Sequence, residues 1–174
     1  MMGELAKTLV SLSGSESVHG IIPRALLKAE RKYLSDGSSF ENDPQRVIDY
    51  EKYGRTTVVD DMHSRKHMMA KEVIEGGHGS GFVALTGGYG TLEELMEVAT
   101  WNQLGIHARA VVIHNVEGYW DGLLQWVKTA VEGGFVSDAN KSIMVEAKSG
   151  QEVVEKLRDY QNSVGRMKLQ WDQK

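Results

Sequence analysis

The chain has 174 residues, a formal net charge of -4 at pH 7 and no cysteine, which excludes disulfides, zinc-thiolate sites and thiol catalysis. It is long enough to bury one core but too short for two comfortable domains, so we expect a single domain over 1–174 whose last residues, 166–174, form a flexible tail. The acidic balance argues against a nucleic-acid partner, and because no apolar run reaches membrane-spanning length and no signal peptide is recognisable, we expect no membrane partner and a cytoplasmic location.

Short β-branched segments alternate along the chain with segments of helical apolar spacing. The predicted strands are 19–23, 56–60, 82–85, 111–115 and 143–145, and the predicted helices are 3–12, 24–34, 64–75, 91–103, 120–132 and 151–162. Such alternation is typical of βα units and predicts an α/β fold, a parallel sheet flanked by helices. Because ligands of open α/β sheets bind beyond the carboxyl ends of the strands, the residues that follow each strand are the candidate site.

One of these places is a glycine-rich turn, Gly87-Gly88-Tyr89-Gly90, between a predicted strand and a predicted helix. Glycine lets the backbone approach a ligand closely and adopt positive φ, and the free amides at a helix start favour an anion. The turn therefore indicates a phosphate-binding site, with a tight turn of purely structural glycines as the alternative. The helix that follows has apolar residues at helical spacing, which predict its buried stripe: Leu92, Leu95, Met96 and Ala99.

Glu94 has two interpretations. Thr91 and Glu94 have the spacing of a capping box, in which the glutamate satisfies a free amide at the helix start. A carboxylate beside a bound phosphate is repelled, however, so a structural role alone does not explain why two carboxylates, Glu93 and Glu94, stand next to this site. A general base is the alternative role for Glu94.

A basic helix start follows the second predicted strand. If Ser64 caps this helix, Arg65 and Lys66 occupy its first turn, where positive charge opposes the helix dipole. Such a violation of local preference is typical of functional sites, and two cations at this edge of the sheet suit a nucleotide monophosphate. The alternative is a solvated helix start whose cations pair with Asp60 and Asp61.

Several segments together resemble the LONELY GUY family, whose members are often labelled lysine decarboxylases. The most specific are Met62-His63-Ser64-Arg65-Lys66, the run Gly87 to Glu94, and the run Thr100 to His107; shorter matches are 21–26, 115–119 and 133–135. The resemblance implies a Rossmann-like fold, with Arg65 and Glu94 as the catalytic pair.

The same resemblance implies the binding residues and partners. The implied substrate-binding residues are Lys66, Gly87, Gly88, Tyr89, Gly90, Thr91, Glu93, Glu30 and Thr100. For Glu30 and Thr100 an ordinary role on a helix surface is an equal alternative. The resemblance further implies no metal and no pyridoxal cofactor, and a homodimer or higher homo-oligomer whose active sites form where two subunits meet.

The implied activity is that of a phosphoribohydrolase, which cleaves the N-glycosidic bond of a cytokinin nucleoside 5′-monophosphate. The substrate would be similar to isopentenyladenosine monophosphate, with AMP as a lesser one. Glu94 would stabilise an oxocarbenium-like ribosyl centre or activate water, and Arg65 would orient the ribose phosphate or the departing base. The alternative is a catalytically impaired nucleotide-binding or oligomerising module of the same superfamily.

The sequence also departs from the family pattern. Thr86 stands where proline is usual, and the insert 76–81 precedes a strand, at the end of the sheet remote from ligands. Relatives have an additional N-terminal strand-helix-strand unit with a Gly-Ser phosphate turn, so the resemblance implies an N-terminally shortened sheet. Because that unit holds a central strand, we expect rearranged strand pairing or association with other copies.

Overall fold

Parallel strands and helices alternate in the computed structural model, which describes residues 2–27, 48–169 and 171. The strands are β1 His19–Pro23, β2 Arg55–Val59, β3 Gly81–Ala84, β4 Ala110–His114 and β5 Met144–Ala147. The helices are α1 Met2–Ser13, α2 Tyr50–Tyr53, α3 Met62–Glu75, α4 Tyr89–Gln103, α5 Asp121–Glu132 and α6 Gly150–Arg158. The α/β prediction is confirmed, and each strand lies within about two residues of its predicted bounds because β-branched runs mark buried strands.

The strands form two parallel sheets. In the first, β1 pairs with β2 in the register His19 to Arg55 and Pro23 to Val59. In the second the order is β3-β4-β5, with Gly81 opposite Ala110 and Val111 opposite Met144. The hydrophobic pattern identifies the strands but carries little information on which of them pair with each other. The division into two sheets could therefore not be predicted from the sequence.

Contacts between residues divide the chain into two compact units, Met1–Met69 and Ala70–Lys174, so the single-domain expectation stays a prediction. In the first unit α1 packs on α2, with the Lys7 ammonium 5.6 Å from the ring centre of Tyr53. Gly54 joins α2 to β2 at φ +83, and a Cβ there would lie 2.6 Å from the Val18 Cβ. Glycine is therefore required at this turn.

The core of the second unit lies on both faces of β4. Val111, Val112 and Ile113 are fully buried, and alternate residues point to opposite faces. One face carries a buried cluster that includes residues of α4 and the residue before α5: Ala84, Leu95, Val98, Val111, Ile113 and Trp120. The other face carries Ala110, Val112 and Ala147, and Val153 and Leu157 of α6 pack against them. Helices thus cover both faces of this sheet.

The buried stripe of α4 is rotated from its predicted position. Leu95, Val98 and Asn102 are buried, whereas the predicted Leu92, Met96 and Ala99 are half-buried. The Asn102 amide nitrogen donates to the Arg109 carbonyl at 3.0 Å, so a polar residue can occupy the stripe with a hydrogen bond. Apolar spacing alone could not identify it.

Residues near the C-terminus bind the end of α4. Arg166 donates through Nε to the Asn102 carbonyl at 2.8 Å and through Nη2 to the His107 carbonyl at 2.6 Å, and the Met167 amide donates to the Gln103 carbonyl at 2.8 Å. The bond to Gln103 satisfies the carbonyl of the last residue of α4, and the bond to His107 holds the loop that follows the helix. The flexible tail expected over 166–174 stays a prediction, and residues 170 and 172–174 lie outside the described residues.

Candidate functional site

The glycine-rich turn after β3 presents the start of α4. Gly88 is the N-cap of this helix and makes no side-chain cap, and the Leu92 amide donates the first helical hydrogen bond to the Gly88 carbonyl at 3.1 Å. The backbone amides of 88–91 therefore have no acceptor within the helix. Their free N–H groups and the helix dipole create a local positive potential at the carboxyl end of β3.

The capping box predicted at Thr91 is wrong, because α4 begins at Tyr89 and Thr91 is already its third residue. Glu94 then lies in the second turn, half-buried, and Glu93 beside it is exposed. A side chain in the second turn is too far along the helix for the capping geometry. The structural interpretation of Glu94 as a cap is thereby removed.

The three glycines of the turn differ in what surrounds them. A Cβ on Gly87 would lie 2.1 Å from the Thr91 Oγ1, so this position requires glycine. A Cβ on Gly88 or Gly90 would meet no described atom within 4 Å. None of the three has the positive φ that the sequence had favoured. Packing within the described chain therefore leaves space above Gly88 and Gly90, beside the unpaired amides.

The basic segment lies at the start of α3, but its cap was predicted wrongly. The helix begins at Met62, and Asp61 accepts the Ser64 amide at 2.8 Å and the Ser64 hydroxyl at 2.9 Å. These two bonds hold the pKa of Asp61 below its usual range, chiefly through the Ser64 amide. Arg65 and Lys66 consequently belong to the second turn, where opposition to the helix dipole is weaker.

Arg65 contacts the middle of β1. Its side chain is partly buried, and its Nε donates to the Ile21 carbonyl at 3.3 Å. Asp60, which follows β2, lies 3.7 Å from the Arg24 guanidinium. Arg65 and Lys66 belong to the first unit, whereas the glycine-rich turn and Glu94 belong to the second.

The other predicted binding residues have varied positions. Tyr89 is 93% exposed at the start of α4. Thr100 is also exposed, and lies about 13 Å along the helix axis from Thr91 at a rise of roughly 1.5 Å per residue. Glu30 lies outside the described residues.

The loop after β4 contains two residues that the predicted site did not include, Asn115 and Tyr119. Tyr119 donates its hydroxyl hydrogen to the Gly87 carbonyl at 2.7 Å, which joins this loop to the glycine-rich turn. Asn115, buried at the carboxyl end of β4, donates to Asp121 and to Glu146, both at 2.8 Å. Two sequence signals pointed to this loop: Asn115 directly follows a strand, and 115–119 is one of the segments that resemble the family.

A buried histidine, His107, follows the end of α4. His107 is buried, accepts the Arg109 amide at Nδ1 and contacts the Val98 carbonyl through Nε2 at 2.8 Å. Burial lowers the pKa of His107, and Arg166 and Arg109 lower it further. Among the described residues no group of three or more acidic, histidine or cysteine side chains could hold a metal, and no helix could cross a membrane.

Comparison with known proteins gives a family. A family model described as "Possible lysine decarboxylase" matches residues 2–157. A bifunctional cytokinin biosynthesis protein of Fusarium pseudograminearum is 47% identical over 171 residues, which cover 98% of this chain and 34% of that protein. The cytokinin riboside 5′-monophosphate phosphoribohydrolases LOG1 and LOG3 of Arabidopsis thaliana are each 42% identical, over 92% and 84% of this chain and 63% and 58% of their own lengths.

The chain thus spans between about one third and just under two thirds of the length of these curated relatives. The family model covers the helix start with Arg65, the glycine-rich turn and Glu94, which are the segments on which the sequence resemblance rested. The chain belongs to the possible lysine decarboxylase family, as one of its LONELY GUY-type members.

Proposed function

We propose that the protein is a phosphoribohydrolase that converts a cytokinin nucleoside 5′-monophosphate and water into the free base and ribose 5-phosphate. The observation that carries the proposal is the start of α4, where unpaired amides at 88–91 adjoin open space at Gly88 and Gly90. A phosphate monoester fits such amides because they supply hydrogen bonds and positive potential without a cation. The Arabidopsis relatives are named as cytokinin riboside 5′-monophosphate phosphoribohydrolases, which supports the same substrate class.

The proposed chemistry assigns one role to each of the predicted site residues. The 5′-phosphate binds the amides of 88–91, and Glu94 lies one turn further along α4. As the bond between the sugar and the base breaks, positive charge develops at the ribosyl carbon. Glu94 stabilises that charge or takes a proton from the attacking water, while Arg65 orients the phosphate or the departing base. Lys66, Tyr89, Thr91, Glu93, Glu30 and Thr100 complete the proposed binding set.

Replacing Gly90 with alanine tests the phosphate-binding role. Alanine favours a helix more than glycine, so the free energy of unfolding is expected to rise by about 0.4–1 kcal/mol. The new methyl group occupies the space proposed for the phosphate, so KM is expected to rise about tenfold, the effect of losing one charge-assisted hydrogen bond. Base release from isopentenyladenosine monophosphate and urea unfolding measure the two effects.

Gly122→Ala is the matched control. Gly122 is the second residue of α5, as Gly90 is of α4, and a Cβ there also meets no described atom within 4 Å. It should gain similar stability with an unchanged KM. An unchanged KM in Gly90→Ala as well would contradict the phosphate site. Nucleotide binding by the wild-type protein without any base release would favour the non-catalytic module instead.

We further propose a cytoplasmic homodimer or higher homo-oligomer. In the described part of the chain β1, β2, β3 and β5 each pair on one side only, and unpaired strand edges favour association. Size-exclusion chromatography with light scattering is expected to give a mass of at least twice that of the chain. A folded monomer at all concentrations tested would exclude the proposed assembly.

A further inference from the structure

The loop between β4 and α5 is fixed at its base by Asn115. The Asn115 side chain donates both amide hydrogens to carboxylates, on Asp121 and Glu146, and its Oδ1 accepts the Trp120 amide at 2.8 Å. The Asn115 backbone amide also donates to the Ala147 carbonyl of β5 at 2.8 Å. A buried amide whose donors and acceptor are all engaged is a rigid anchor.

The backbone between this anchor and Tyr119 has an unusual conformation. Glu117 has φ 51 and ψ 29, and Gly118 has φ 75. The left-handed region is uncommon for a residue with a side chain and is often retained at functional sites. At Gly118 the positive φ favours glycine, since it has no Cβ.

Tyr119 connects this loop to the glycine-rich turn. Its ring packs edge to face on Trp120, with ring centres 5.0 Å apart and an interplanar angle of 88°, and Trp120 is buried in the core. Its hydroxyl donates to the Gly87 carbonyl at 2.7 Å. The side chain is 55% exposed, so packing of the ring does not explain why the hydroxyl points at this carbonyl.

The Gly87 carbonyl belongs to the same peptide unit as the Gly88 amide. No peptide bond in the described chain is cis, and in a trans peptide the C=O and N–H bonds point in opposite directions. A peptide between two glycines has no Cβ on either side to oppose its rotation. Holding the Gly87 carbonyl therefore also fixes the direction in which the Gly88 N–H points.

We infer that Tyr119 is a positioning residue, whose hydroxyl holds the Gly87–Gly88 peptide in the orientation that directs the Gly88 amide at the substrate phosphate. The inference rests on the proposed function, because it assigns Tyr119 to the same phosphate site. It differs from a purely structural role in predicting an effect on phosphate binding and on the Gly88 amide itself.

Tyr119→Phe keeps the ring on Trp120 and removes only the hydroxyl. We expect KM for isopentenyladenosine monophosphate and the inhibition constant of inorganic phosphate to rise together by about 2- to 10-fold, the effect of one neutral hydrogen bond. The change in kcat should stay below about twofold, because the phosphate is held in ground and transition states alike. In ¹⁵N NMR spectra, inorganic phosphate should shift the Gly88 amide strongly in the wild-type protein and weakly in the variant.

Tyr160→Phe is the matched control, since the Tyr160 hydroxyl also donates to a backbone carbonyl, that of Ile143 at 3.2 Å. It should change neither KM nor the response of Gly88 to phosphate. If Tyr119→Phe retains wild-type KM and the wild-type Gly88 shift, Tyr119 has no positioning role although the phosphate site stands. If phosphate shifts no amide of 88–91 in the wild-type protein, the phosphate site itself is absent and the inference is overturned with it.

Discussion

Glu94→Gln is expected to lower the rate of base release from isopentenyladenosine monophosphate by about 10²–10⁴-fold, the usual effect of losing a general base. Glutamine has nearly the same shape but can neither accept a proton from water nor offset positive charge at the ribosyl carbon. Because α4 begins at Tyr89, Glu94 is its sixth residue and lies beyond the capping positions, and glutamine keeps a side-chain oxygen that can accept hydrogen bonds. The free energy of unfolding should therefore change by less than about 1 kcal/mol.

Glu97→Gln separates the loss of this particular carboxylate from the loss of any charge on the helix. Glu97 is half-buried like Glu94 and lies three residues further along α4. Its variant should retain the wild-type rate, and Glu94→Gln should still bind the nucleotide in calorimetry. Equal rates in the wild-type protein and Glu94→Gln would remove Glu94 from the mechanism.

The elements of the fold were predictable because each depends on local pattern. The run from Val111 to Ile113 is continuously apolar and became the fully buried central strand of its sheet. The helix starts were predicted about two residues late at both α3 and α4. Ser64 and Thr91 are good capping residues, but Asp61 and Gly88 occupy the N-cap positions. A run of several capping residues does not reveal which one the tertiary structure uses.

Most of the structural features that could not be predicted from the sequence are contacts between segments distant in the chain. The bond from Tyr119 to Gly87 joins residues 32 positions apart, and neither residue has a pattern that identifies the other. The same holds for Arg166, whose guanidinium binds the Asn102 and His107 carbonyls from a segment that has the composition of a polar tail. Composition predicts exposure for such a residue and carries no information on which backbone carbonyls its guanidinium binds.

Replacing Arg65, near the start of α3, with lysine is expected to have the second large effect on catalysis. Arg65→Lys keeps the positive charge, but lysine has a single nitrogen and cannot bind the Ile21 carbonyl while presenting two parallel N–H groups to a phosphate. We expect kcat/KM for isopentenyladenosine monophosphate to fall about 10²-fold, which corresponds to roughly 3 kcal/mol, the upper range for a hydrogen bond to a charged group. Steady-state kinetics with isopentenyladenosine monophosphate measures it.

Arg158→Lys distinguishes this effect from a general intolerance of the substitution. Arg158, in α6, binds the two carboxylate oxygens of Asp159 through Nε and Nη2, both at 2.8 Å, and both side chains are exposed. Because exposed ion pairs contribute little, its variant should retain wild-type kcat/KM and stability within about 1 kcal/mol. If Arg65→Lys behaves in the same way, charge alone suffices at the start of α3 and the guanidinium has no orienting role. If Arg65→Lys loses stability as well as kcat/KM, a misfolded start of α3 explains both losses. The role of Arg65 would then be structural, through its bond to the Ile21 carbonyl.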